Sequence, residues 1–489
     1  MNKMTRRDVL KAGLGASALG WVKPSRLRAA PASLPASRPT SAPYEFALPM
    51  TGKVRPLPSA DIRASPLSVG FEVLDRKLFD PDKCYPHLAK LGVKWARCQT
   101  GWARTETTKG RYDFQWLDDV VDSLRKIGIQ PWFNFGYGNP LYSPGCTDPA
   151  AVGWIPIFSD EARRAWVAYT RQIAEHFKDR VTHWEIWNEP NIANFWKPSP
   201  PSAGQYVEFV KLTVPEIRKI IPKAVVIGAA LAGMPMPYLK ECLDKGLADH
   251  VDKISYHPYQ ARPEAGYEKN VKAMRDLVAG YKKGVELWQG ENGCPSQPGG
   301  AGALAKDPWD QTSQAKWALR RILSDLRLGL ELTSYFHTVD LVGYRGSTNY
   351  KGLLEGKTYS PKKAYYAYQN LCALLDSASV RTTWPVRIDA PDADAVWSAT
   401  FVRGGRAICA YWYPADLLKG WTPRKVNLTL ACGKDAKLDS PVLVDTLNGT
   451  IYRVQARSAA DGWAFPSVPL LDYPLLLADQ AAVSQAGTS

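Results

Sequence analysis

The sequence predicts an α/β protein, a (β/α)8 TIM barrel with a C-terminal all-β sandwich, on three observations. Eight short apolar runs recur between residue 65 and about 375, their starts 26 to 52 residues apart, with amphipathic segments between them. That spacing holds a strand, a loop and a crossover helix in each unit. Two runs, the fourth and seventh, end in a glutamate flanked by polar or small residues. After residue 378 the texture changes to short alternating strands separated by turn residues.

In chain order, residues 1–32 read as an address. Thr5-Arg6-Arg7-Asp8-Val9-Leu10-Lys11 precedes a short apolar stretch and then Ala/Pro/Ser-rich sequence, the pattern of a signal peptide of twin-arginine type. The expectation is export to the periplasm or the medium. The stretch is too short for a membrane span. Residues 33–64 read as a linker and N-terminal extension. Residues 1–40 hold +7 of the net charge of +15, so the remainder carries +8, spread without a Lys/Arg run interleaved with aromatics. A nucleic-acid partner is therefore disfavoured. The 18 Trp and 23 Tyr suit a carbohydrate substrate, whose ring C–H faces pack on aromatic faces; a large aromatic core is the other reading. The eight cysteines show no metal-ligand spacing, and Cys409/Cys432 and Cys146/Cys294 are the pairs whose segments come close enough to consider.

Barrel strands are expected at 67–71, 93–98, 130–135, 182–187, 224–229, 252–256, 285–289 and 331–336, with helices at 118–127, 161–177 and 312–328 among the crossovers. No Gly-rich phosphate turn follows a strand, which weighs against a doubly wound sheet. The barrel is assigned to 65–378. The sandwich, at 379–478, has strands at 396–401, 407–413, 425–430, 442–445 and 451–454, with Asn448-Gly449 as a hairpin turn; residues 479–489 read as a polar tail.

Residues at the C-terminal ends of barrel strands face the mouth. The fourth strand runs His183-Trp184-Glu185-Ile186-Trp187-Asn188-Glu189-Pro190, the seventh Leu287-Trp288-Gln289-Gly290-Glu291-Asn292-Gly293. Cleaving a glycosidic bond takes one carboxylic acid to protonate the leaving oxygen and a second carboxylate on the other side. Glu189 and Glu291 are the pair so placed. Glu185 is read as facing the barrel interior, and Glu286 as too early in its strand. Gly290 and Gly293 are read as clearing space for substrate. Glu72, Trp102 and His337 follow strands one, two and eight near the mouth, and Trp196 and Trp288 are candidate sugar platforms. No metal cluster or cofactor motif is present, and none is needed for this chemistry. No residue pattern assigns an oligomeric state.

Asn-Glu-Pro ending strand four with Glu291 ending strand seven resembles clan A of the glycoside hydrolases, and is most similar to the family 39 group of β-xylosidase-like enzymes, which also add a β-sandwich. The resemblance implies a retaining mechanism with Glu189 as acid/base and Glu291 as nucleophile. It further implies that Arg97 keeps the nucleophile ionised, that Asn188 bonds the sugar 2-hydroxyl, and that His257 and Tyr259 contact the carboxylates. The Gln-Gly-Glu-Asn-Gly of strand seven, where family 39 members more often show Thr-Glu and an aromatic, keeps a β-glucanase-type relative open. So do a transglycosylase with the same residues and a catalytically idle, glycan-binding barrel.

Overall fold

The computed structural model describes residues 44–432 and 436–484; the signal-peptide reading lies outside them. Eight parallel strands close a barrel: β1 (Leu67–Gly70), β2 (Trp95–Gln99), β3 (Gln130–Phe135), β4 (His183–Ile186), β5 (Val225–Ala232), β6 (Lys253–His257), β7 (Glu286–Asn292) and β8 (Leu332–Tyr335). The ring closes with Gly70 beside Arg97 on one side of the first strand and Val69 beside Tyr335 on the other.

The helices form where apolar spacing and caps coincide. Gln115–Lys126 buries Leu117, Val120, Val121 and Leu124 on one stripe. Asp160–Phe177 starts where the Ser159 hydroxyl accepts from the Ala162 N–H. Gln311–Arg327 starts on a capping box between Asp310 and Ser313. Pro215 sits inside Ala203–Ile220. At the barrel floor Trp132, Ile227, Trp288 and Leu332 pack as a buried cluster.

Two strands run further than the alternation predicts. β5 continues to Ala232 and β7 to Asn292, and each carries a register shift, between Gly228 and Leu231 and between Gln289 and Asn292. A bulge breaks simple periodicity and bends its strand, and bulges gather beside functional sites. A hairpin of Leu341–Tyr344 and Ser347–Asn349, not anticipated, follows β8.

The C-terminal β domain has two antiparallel sheets of seven and four strands. The outermost strand of the larger sheet is Met50–Lys53, from the segment read as a linker, which pairs with Thr450–Arg453. The predicted turn is present: Gly449 has φ 73 between Pro441–Asp445 and Thr450–Arg453. Residues 480–484, within the segment read as a polar tail, form a short helix. The domain is held to the barrel by buried polar contacts. Arg320 forks onto both oxygens of Glu264 at 2.7 and 2.6 Å and donates to the Ala415 carbonyl, while Trp412 Nε1 donates to Glu264 Oε1 at 2.7 Å. All eight cysteines are free, seven of them buried, so neither considered disulfide forms. Among the described residues no helix is long and apolar enough to cross a membrane.

Candidate active site

The bulges aim the two glutamates. Just past β4 the backbone turns left-handed at Trp187 and Glu189, with φ 71 and 46, a conformation a non-glycine residue holds only when its surroundings impose it. Here the imposing contact is the Glu189 N–H, which donates to the carbonyl of Ala230 on the β5 bulge at 2.8 Å. Glu291 sits on the β7 bulge. His257, the last residue of β6, lies between them: its Nδ1 is 3.1 Å from Glu189 Oε1 and 3.8 Å from Glu291 Oε2. One ligand atom from each of Glu189, His257 and Glu291 falls within 4.8 Å of the others. These are donor types a cation accepts, but both oxygens of Glu291 are already engaged by the protein. Tyr259 Oη donates to Oε1 at 2.9 Å and Arg97 Nη1 to Oε2 at 2.6 Å.

Arg97 organises the floor of the site. Fully buried on β2, it donates to Glu185 Oε2 through Nε at 2.8 Å, to Glu72 Oε1 at 3.0 Å and to Asn188 Oδ1 at 2.8 Å. Three carboxylates thus share one guanidinium, and two of them, Glu72 and Glu291, are shifted in opposite directions. Burial pushes Glu72 up to about 7, helped by the charge of Glu291 and opposed by Arg97. Burial also acts to raise Glu291, but His257, Arg97 and the Tyr259 hydroxyl together hold it below the ordinary carboxylate range. Burial disfavours the imidazolium of His257, yet Glu291 and the hydrogen bond to Glu189 raise its pKa above the ordinary value. The surroundings thus favour the charged form of Glu291 and the protonated form of His257.

Glu189, His257, Tyr259 and Glu291 line one cavity of about 460 Å³. Asn188, buried beside Glu189, has its amide oxygen taken by Arg97, which leaves the NH2 to donate. Arg97, Glu72 and His337 stand behind the carboxylates rather than in the cavity: the His337 ring lies between the carbonyls of Val339 and Glu72, and burial lowers its pKa to about 4. Glu185 faces the barrel interior, bonded to Arg97.

Three tryptophans expected at the mouth are core residues. Trp102 is enclosed by Tyr142 and Tyr169, with its Nε1 on Glu106. Trp288 lies at the floor because it precedes Glu291 by three residues on an upward-running strand, and its Nε1 donates to Glu331 at 2.6 Å. Trp196 is buried, bonded to Gln205. Gly290 and Gly293 clear space for the protein itself: a Cβ would come 2.1 Å from Ser255 Oγ at the first and 1.8 Å from the Phe336 carbonyl at the second. Sequence reasoning missed Tyr344, Arg345, Asn349 and Lys351, which wall the cavity from the hairpin after β8. The Gly343-Tyr344-Arg345-Gly346 turn was the available signal.

Barrel and site together place one carboxylate at the end of strand four and one at the end of strand seven of a (β/α)8 barrel. The model of glycosyl hydrolases family 39 matches residues 83–287, less than half of the chain, and over that stretch the chain is similar to the family. A β-xylosidase of Geobacillus stearothermophilus is 26% identical over 163 residues, 31% of either chain. A β-glucosidase 1B of Phanerodontia chrysosporium is 30% identical over 109 residues, 21% of this chain and 19% of that one. The matched stretch thus spans about a third or less of these curated relatives. Among solved structures, a family 39 glycoside hydrolase from Bacteroides cellulosilyticus WH2 superposes with a TM-score of 0.63 at 20% identity, over 85% of this chain and 81% of that one. A monomeric β-xylosidase from Caulobacter crescentus CB15 gives 0.61 at 17%, over 88% and 97%. At these identities the superpositions speak to the fold.

Proposed function

We propose that the protein is a retaining glycoside hydrolase acting on a β-linked oligo- or polysaccharide. The observation that carries this is the pair Glu189 and Glu291, bridged by His257 at one cavity, with carboxylate oxygens within 4.8 Å of each other. Retaining enzymes hold their carboxyl groups about 5–5.5 Å apart, whereas inverting ones leave roughly 6.5–9.5 Å for a water. Glu291, ionised and aligned by Arg97 and Tyr259, attacks the anomeric carbon. Glu189 gives its proton to the leaving oxygen as that bond breaks. In the second half Glu189 takes a proton from water, whose oxygen displaces Glu291 and restores the anomeric configuration. His257 holds Glu189 in line, and the Asn188 NH2 is the donor for the hydroxyl beside the reacting carbon. The family 39 likeness favours a β-xyloside or β-glucoside. Residues 1–32 would carry the protein out of the cytoplasm.

The test is product release from xylan, laminarin, mixed-linkage glucan, mannan, galactan and aryl β-glycosides, followed by NMR of the first-formed anomer. Cleavage with retention, lost in Glu189→Gln and in Glu291→Gln, is the expected result. Undiminished turnover by Glu291→Gln, or an inverted first product, would sink the mechanism.

A further inference from the structure

The cavity at the glutamates does not end with them. Through Asn194, Tyr344 and Arg345, which line both, it runs into a second cavity of about 400 Å³ that reaches Lys197 and Arg76. This path is basic in an unusual way. Among the described residues no carboxylate lies within 4.0 Å of Lys197, Arg345 or Lys351, although 47 acids are present in the chain. Lys351 is 1% exposed; its Nζ is 3.4 Å from Asn349 Oδ1 and 5.7 Å from the Tyr259 ring, and burial lowers its pKa to about 8 against the opposing charge of Glu291. A buried ammonium with no carboxylate in ion-pair contact is costly, and this one borders the cavity that holds Glu291. Arg345, at the exposed hairpin tip, is steadied by aromatic faces, 5.4 Å from the Phe195 ring and 5.3 Å from that of Tyr344. Lys197 Nζ meets the Val152 carbonyl at 3.1 Å. Asp148, the one acid lining the second cavity, uses its two oxygens on the backbone N–H groups of Ala150 and Val152, each at 3.0 Å. Arg76 is already paired with Asp75 and adds field more than a free donor.

We propose that this cleft takes an acidic glycan, whose negatively charged substituents track from Lys351 past Arg345 to Lys197, so that a charged sugar beyond the one being cleaved is read by the basic path. The proposal rests on the glycosidase reading for the bond that is cut, but its recognition step stands on the cations alone. A neutral chain would leave Lys351 unpaired in the complex; an anionic one removes that penalty on binding.

Calorimetric titration of Glu189→Gln, which holds substrate without turning it over, tests it. The probes are cellotetraose, its C6-oxidised form (tetraglucuronate), its C6-sulfated form, and glucuronate-branched xylotetraose beside its carboxyl-reduced counterpart. An acidic form should bind at least about tenfold tighter than its neutral partner, with the preference collapsing when Arg345→Gln and Lys197→Gln are added and when salt is raised. The uronate and sulfate arms then say which anion is preferred. Equal binding of acidic and neutral partners, absence of binding by every probe, or a preference that survives the added substitutions would overturn the proposal. Wild-type cleavage is read separately. Acid-selective binding without bond cleavage would sink the glycosidase reading alone; cleavage without acid selectivity would sink this one alone.

Discussion

Arg97 Nη1 donates to Glu291 Oε2 at 2.6 Å across 194 residues of sequence, and the same nitrogen donates to Glu72 Oε1 at 3.0 Å. The guanidinium therefore does two things at once. It balances the charge of Glu291, and it ties that charge to a second carboxyl whose protonation changes near neutral pH.

Replacing Arg97 with Met should leave Glu185 and Glu72 buried without their cation. Removing one partner of a buried pair costs about 3–5 kcal/mol, so chemical denaturation should show a loss of that order. Whatever remains folded should have kcat reduced by roughly a hundredfold or more, since Glu291 is no longer held charged.

Glu72→Gln should move the alkaline limb of the kcat/KM profile downward, because removing the charge that Glu72 carries above about pH 7 lets the neighbouring acids lose their protons more easily. The same variant bears on stability. The Glu72 pKa is raised in the fold to about 7 from an ordinary 4.5, so its contribution is full below 4.5 and is lost as pH rises through 7. Thermal melts should thus show Glu72→Gln gaining on wild type above pH 7 and not below 4.5. Parallel melting curves at all pH values would contradict this.

Glu189→Gln should lose far more activity on alkyl glycosides than on nitrophenyl glycosides, for which bond breaking needs little proton donation. Glu291→Gln should be equally inactive on both. A leaving-group comparison of initial rates checks the assignment of the two roles.

Gly290→Ala places a methyl group 2.1 Å from Ser255 Oγ and 3.1 Å from Glu185 Oε1. That push is transmitted to Arg97 through Glu185. The variant should lose about 1–3 kcal/mol of stability and most of its turnover, and KM should change less than kcat.

Trp288→Phe should be a stability variant alone. Its ring packs at the barrel floor and its Nε1 bonds Glu331, so a loss of about 1–3 kcal/mol in unfolding free energy with unchanged KM is expected. A raised KM would restore the sugar-platform reading.

The barrel was legible because its signals are periodic. All eight strands and the helices at 118–127, 161–177 and 312–328 declare themselves through apolar spacing, and a carboxylate at a strand end is visible once the strand is. What periodicity cannot carry is anything made by interrupting it. The bulges of β5 and β7 that aim Glu189 and Glu291 read as plain strand endings. Trp102, Trp196 and Trp288 read as mouth residues because a ring suits a sugar and a core equally, and only three-dimensional depth separates them. Glu72 and His337 were found at the correct strand ends, but not their place behind the carboxylates, which depends on Arg97 reaching across the barrel. The hairpin bearing Arg345 was missed because its strands are short and lie in a loop.

The strand Met50–Lys53 completes a sheet otherwise built from residues beyond 378, pairing Met50 with Tyr452 and Lys53 with Thr450. A ribosome delivers that strand early and its partner some 400 residues later. Until then the early strand has no neighbour to lie against, and the whole barrel separates it in sequence from the other six strands of its sheet. Such pairing is the slow, non-local kind. The order of synthesis and the order of assembly therefore diverge in this chain, and cutting it at residue 65 to isolate a barrel would strip an edge from the far domain.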